Sequence, residues 1–276
     1  MKIVSTGETL ASPAFHQKKL KAKRKRRILY TLLVLIILGF VLYLLRNDKL
    51  RISNISVLGA NVVSADLVTQ DTQEILNGYY LWVIPRNSIL LYPKSEIRRK
   101  LNAEFPRFAS INVSLENTHT LDVEVVERNP FALYCTSLST TSPCYFLDET
   151  GYVFDFAPIF SDGVYFIYSS TQPLENPLGS NFLPLETFKS LTHFISRLKS
   201  LSVNSRQLNF DGENYELVLP TGGKLTWSSK DDLEHLYSNL ESFLNSPQIK
   251  SQADFLDKVS ELDLRTQDKV FYSFQE

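Results

Sequence analysis

The sequence is short of the residue types from which many catalytic and metal sites are built. It has two cysteines, one methionine, ten glycines and four histidines in 276 residues. Two cysteines are too few for a disulfide scaffold or a cysteine-built structural zinc site. Ten glycines and twelve prolines exclude collagen-like and low-complexity chains. The histidines (His16, His119, His193, His235) are isolated, and none forms an H-x-x-x-H pair. There is no G-x-S-x-G nucleophile elbow and no Gly-rich phosphate loop, since Gly222-Gly223 falls in a hairpin turn. Asp148 and Asp263 could form an acid pair, but turn and strand-end roles explain each without chemistry. No enzyme, metal or cofactor is therefore expected. Net charge is only −1, while apolar residues reach 43% and charged residues 21%, so wholesale disorder is excluded.

That small net charge is the sum of two unlike parts. Residues 1–27 hold nine basic residues against one acid, a net of +8, and the rest of the chain carries −9. Ile28 to Leu45 separates them without a single charge. At roughly 1.5 Å per residue this segment would reach across about 27 Å, close to the hydrocarbon thickness of a bilayer. It is longer than a signal-peptide core and runs into Leu44-Leu45-Arg46-Asn47-Asp48-Lys49, with no small-residue cleavage pattern. The sequence thus predicts a disordered basic tail over 1–27 and an uncleaved membrane anchor over 28–45. The cluster Lys18-Lys19, Lys21, Lys23-Arg24-Lys25-Arg26-Arg27 adjoins the anchor, so the positive-inside rule explains it without nucleic acid. The tail is expected in the cytoplasm and everything after the anchor outside it.

Beyond the anchor, Ile52, Ile55 and Val57 read as a strand, and Ser64 can cap a helix over 65–76. A run of large apolar residues, Tyr79 to Ile84, reads as a loop. Pro93 sits where a helix would begin, and Ile97, Leu101 and Phe105 mark its apolar face. Ile111, Val113 and Leu115 alternate, as do Leu121, Val123 and Val125. The order strand-helix-helix-strand-strand over 50–128 resembles a POTRA domain, a small extracytoplasmic module.

Residues 129–276 read as a second domain of mixed β-sheet with flanking helices, making the whole α+β. Phe131–Cys135 and Cys144–Leu147 form a hairpin. Asp148-Glu149-Thr150-Gly151 turns, with Gly151 able to take positive φ, and Tyr152–Phe156 pairs back. Val164–Tyr168 is a further strand. Cys135 and Cys144 can oxidise outside the cytoplasm, a cross-link worth roughly 2–3 kcal/mol in the chain-entropy model. Pro184 opens a helix with Phe188, Leu191, Ile195 and Leu198 on one face. A hairpin through Thr221-Gly222-Gly223 follows, and then a helix opened by a Ser229-x-x-Asp232 capping box and ended by Pro247. The chain closes on strands around Val259–Arg265 and Val270–Phe274.

In this order the features resemble the FtsQ/DivIB family of bacterial cell-division proteins. The motifs are the basic tail and anchor, and the junction Glu127-Arg128-x-Pro130-x-Ala132. Then come Tyr145-Phe146-Leu147-Asp148-x-x-Gly151-x-Val153-Phe154, the hairpin Leu217–Trp227, and Asp263-Leu264-Arg265 with Lys269-Val270-Phe271-Tyr272. Cys135, Cys144, the loop 136–143 and the proline-rich segment 157–183 depart from the family pattern. The resemblance implies a single-pass (type II) scaffold at the division septum. Such a scaffold binds small coiled-coil partners of the FtsB and FtsL (or DivIC) type and helps regulate septal peptidoglycan synthesis. It places partner binding on a final edge strand, Lys269, Val270, Phe271, Tyr272, Ser273 and Phe274, with other division proteins recruited near Gly59 and 79–92. POTRA-containing secretion or envelope-assembly proteins are the alternative, and a cell-wall enzyme ranks below it.

Overall fold

The computed structural model describes residues 13–82, 84–136, 142–160, 163–252, 254–266 and 268–275. Within them the chain divides into two compact units. One holds the residues up to Leu58 with Ala65–Arg98 and Asn112–Val123; the other holds Gly59–Ser64, Arg99–Ile111 and Glu124 onward.

The first unit begins with α1 (Pro13–Arg46). The basic segment expected to be irregular is therefore helical from Pro13 on. Its physical cause is local: no proline interrupts the run after Pro13, and Lys, Arg, Leu and Ala all favour helix. The stretch Lys23–Arg46 is long and apolar enough to cross a membrane, and almost none of it is buried inside the protein. Next come β1 (Asn54–Leu58), α2 (Ala65–Leu76), β2 (Tyr79–Tyr80) and β3 (Ile84–Pro85). Next in the chain are α3 (Lys94–Glu104), β4 (Phe108–Leu115) and β5 (Thr120–Glu127), each divided between the two units. The sheet order is β1-β5-β4. In α2, Val68, Thr72, Ile75 and Leu76 are buried, one stripe at helical spacing. Leu121, Val123 and Val125 are buried alternately along β5, as a one-sided sheet requires. The run expected as a plain loop contains the small antiparallel hairpin β2–β3.

The second unit is built on a nine-stranded mixed sheet. Its strands are β6 (Ala132–Cys135), β7 (Cys144–Leu147), β8 (Val153–Phe156), β9 (Ile167–Ser170) and β10 (Gln207–Phe210). The remaining four are β11 (Asn214–Val218), β12 (Lys224–Ser228), β13 (Val259–Asp263) and β14 (Phe271–Phe274). Their order is β14-β13-β12-β11-β10-β9-β6-β7-β8. The helices α4 (Leu185–Leu198) and α5 (Leu233–Leu244) lie in the two crossovers that make β9–β10 and β12–β13 parallel. Two short helices, α6 (Pro247–Lys250) and α7 (Phe255–Lys258), lead into β13. Phe188, Leu191, Ile195 and Leu198 of α4 are buried, and Phe194 meets Trp227 of β12 edge-on at 5.3 Å. Alternate residues of β6 go to opposite faces: Ala132 and Tyr134 join this core, while Leu133 and Cys135 pack with Phe146 and Phe154.

Three boundaries differ from expectation. The strand expected at Val164–Tyr168 lies at Ile167–Ser170, where it can pair in parallel with β6 and β10. Asp232, not Ser229, caps α5, accepting the Glu234 N–H at 3.0 Å. Pro247 starts α6, the position where its missing N–H costs nothing.

Candidate functional site

Glu127 and Arg128, adjacent at the end of β5, reach in two directions. The Glu127 carboxylate accepts three consecutive backbone N–H groups, from Asn61 at 2.9 Å, Val62 at 2.9 Å and Val63 at 3.0 Å. Arg107 stands beside it, with Nε 3.5 Å from Oε2 and Nη1 2.5 Å from Asp155 of β8. Burial raises the Glu127 pKa, but the three N–H groups and the Arg107 charge outweigh it and hold the carboxyl below its ordinary range. These bonds draw 59–64 and the turn at Arg107 into the second unit. Sequence reading missed Arg107, Asn61 and Asp155, because their meeting is set by tertiary contact alone.

Arg128 ion-pairs with Asp148, lies 4.2 Å over the Tyr152 ring and donates from Nε to the Pro106 carbonyl at 3.2 Å. Asp148 is buried and accepts the Thr150 N–H at 2.8 Å, the Thr150 hydroxyl at 2.6 Å and the Tyr152 N–H at 3.1 Å. Burial works against ionisation, yet these donors and Arg128 together lower its pKa. Gly151 closes the turn at φ +78°, and a Cβ there would lie 2.7 Å from the Phe188 ring. Both facts require glycine. Pro130 falls between β5 and β6, where no ladder donor is needed. Glu127, Arg128, Asp148 and Gly151 thus form a structural joint.

Cys135 and Cys144 face each other in the β6–β7 register and form a disulfide, with Cα atoms 4.1 Å apart. The flanking Thr136 N–H donates to the Pro143 carbonyl at 3.3 Å, so the cysteines occupy the close, non-hydrogen-bonded site of the ladder. Of the loop 136–143 expected as an insertion, residues 137–141 lie outside the described residues.

Asp263 and Arg265 pair with each other at the end of β13, through Nε to Oδ1 at 2.9 Å and Nη2 to Oδ2 at 2.6 Å. This pairing lowers the Asp263 pKa. It lies apart from Asp148, whose partner is Arg128, so each acid has its own arginine. A pocket of about 480 Å³ between the starts of α4 and α5 is lined by Glu186, His193, Asp231, Asp232 and Glu234. Among the described residues no three His, Cys, Asp or Glu side chains are grouped to hold a metal.

The predicted edge strand is shorter than expected. β14 holds Phe271, Tyr272, Ser273 and Phe274, while Lys269 and Val270 precede it, Val270 packing partly against the core. β14 pairs antiparallel with β13 and is the last strand of its sheet, with all four residues exposed. Tyr272 and Phe274 share one face with Phe243 and Phe255, at ring separations of 5.4–5.8 Å. Gln275 fastens the strand's end. Its N–H donates to the Lys258 carbonyl at 2.9 Å, and its side-chain amide donates to the carbonyls of Thr221 and Val259, both at 3.1 Å. What this arrangement can do chemically is donate and accept main-chain hydrogen bonds along an uncharged, aromatic edge.

No family model and no curated protein matches this chain.

Proposed function

We propose that the chain is a single-pass membrane scaffold of the bacterial division machinery, of the FtsQ/DivIB kind, and not an enzyme. The observation that carries this reading is β14: an aromatic strand at the edge of a large sheet, uncharged and exposed along its length. An open edge accepts a strand from another chain, with main-chain bonds for affinity and alternate side chains for specificity. The partners are small single-pass coiled-coil proteins of the FtsB and FtsL or DivIC type. The first unit is a POTRA module, which offers a separate surface to other division proteins. α1 anchors the chain, and the basic run up to Arg27 keeps the N-terminus in the cytoplasm. What supports the sequence motifs as a set is their placement: Glu127, Arg128, Asp148 and Gly151 form one joint, and Asp263 with Arg265 closes the strand next to β14.

The test is co-purification of the full chain with the two small partners encoded in the same genome. Proline is placed in turn at Tyr272 and at Ser273. Neighbouring residues of an edge strand point their N–H groups in opposite directions, so one of the two variants removes an outward donor. Capture of both partners by the wild type, lost in that variant while it remains folded, is the expected result. Capture undiminished in both folded variants would sink edge recognition.

A further inference from the structure

The hairpin β2–β3 ends in the most exposed large apolar pair of the first unit. Leu81 is 84% exposed and Trp82 96%. Both hold positive φ, 48° and 65°. Tight hairpin turns that need such backbone are normally made from Asn and Gly; here two bulky apolar side chains sit there and point into solvent. Burial in the protein does not explain them.

The foot of this hairpin is tied to the chain just after α1. The Ile52 N–H donates to Asn87 at 2.8 Å and the Ile89 N–H to Leu50 at 3.1 Å, with Arg51 bridged to Ser88. One step back along the chain, β3 packs against α1. Leu45 is the one buried residue of α1 among those described from Lys23 onward, so that contact is at the exit end of the apolar stretch. β3 therefore lies beside the exit end of α1, and Leu81 and Trp82 are two to three residues from it along the chain, within roughly 7–10 Å at strand rise. Tyr79 is 60% exposed at the base of the arm. Behind it stands Arg86, its guanidinium 5.0 Å from the Tyr80 ring and 2.9 Å from Glu96. Arg46, the last residue of α1, and Lys49 just after it are exposed. Apolar tip, aromatic shoulder and basic base match the depth order of a bilayer interface, where Trp and Tyr sit at the headgroups and cations face the phosphates.

We infer that Leu81 and Trp82 insert into the outer leaflet beside α1, so that the hairpin is a second, interfacial foothold that fixes the first unit against the lipid surface. This rests on the reading that α1 spans the membrane. Phe271 to Phe274 play no part in it.

The experiment uses the full chain in vesicles of phosphatidylcholine and phosphatidylglycerol. The chain has two tryptophans, and Trp227 is fully buried, so a Trp227→Phe variant leaves Trp82 as the sole reporter. A second sample carries Gly39→Cys, a site whose Cβ would meet nothing within 4 Å, labelled with a polarity-sensitive fluorophore to report the span itself. Acyl-chain-brominated lipid is expected to lower Trp82 emission by about twofold, and aqueous iodide to quench it several-fold less than a free tryptophan amide. It should also quench the Gly39 probe. Trp82 open to iodide and untouched by brominated lipid, with the Gly39 probe quenched by lipid, overturns the inference and leaves the span standing. Neither probe quenched by lipid overturns both. Protection of Trp82 from iodide without lipid quenching assigns the tip to a protein contact and also overturns it.

Discussion

The nine-stranded sheet has two edges, and they are finished in opposite ways. At β8 the edge is closed. The Val153 N–H donates to Ser180 at 2.8 Å, its carbonyl accepts from Gly179 at 2.8 Å, and Tyr152 bridges to Asn181. Asp155 adds a charge held by Arg107, and Val153 and Phe154 are buried. Charge and a covering loop are the usual means of keeping an edge from pairing with another chain. At β14 neither is present among the described residues: the strand is Phe-Tyr-Ser-Phe, uncharged, with Phe271, Tyr272 and Phe274 exposed by 43–55%. The same sheet shows that the chain can guard an edge. The contrast separates an edge closed by the chain itself from one left exposed, and the proposed function places the encounter with another chain at the exposed one.

Under the proposed function, breaking the β8 side should cost stability and breaking the β14 side should cost binding. The largest loss is expected from Asp148→Ala, which strands Arg128 and removes the acceptor for the Thr150 and Tyr152 amides. Denaturant titration should show a loss of about 3–4 kcal/mol. The pH dependence has a definite sign. Because the folded pKa of Asp148 is lowered, its stabilisation is complete above the ordinary carboxylate range, near pH 4, and fades as pH falls through the lowered value. The gap between wild type and an Asp148→Asn variant should therefore narrow in acid, and a gap that widened would reject the assignment. Gly151→Ala comes next, at about 2–3 kcal/mol, from positive φ and the Phe188 ring together. Reducing the Cys135–Cys144 bridge should cost about 2 kcal/mol, read as a drop in denaturant midpoint under reductant. The smallest stability effect belongs to Phe271→Lys, within about 0.5 kcal/mol of wild type. Its cost should appear in partner capture, weakened by about tenfold. A Phe271→Lys protein that unfolded as readily as the Asp148 variant would erase the contrast between the edges.

Local chemistry made much of this legible. Ser64 marked the start of α2 to the residue, the apolar spacing of Phe188, Leu191 and Ile195 marked α4, and the Asp148–Gly151 turn marked the passage from β7 to β8. What stayed hidden depends on distant partners. Gln207–Phe210 is four residues long and half polar, and it becomes a strand because β9 and β11 flank it. Glu127 was visible as a motif residue, but its three amide donors lie more than sixty residues earlier. Leu81 and Trp82 read as a loop because no sequence rule places bulky side chains in a positive-φ turn.

The clamp made by Gln275 has a consequence for how the open strand moves. One side-chain amide bonds two carbonyls, of Thr221 and Val259, at the strand's far end. The other end begins beyond an exposed His235–Asp268 contact of 2.9 Å, a kind of surface pair worth little. Fraying should start there. Amide protons of β14 that face β13 should exchange with solvent fastest near Phe271 and slowest near Phe274, a gradient of local opening over four residues. Under the proposed function, a strand added at this edge would meet a template held most firmly at Phe274, and pairing would begin there and run back toward Phe271.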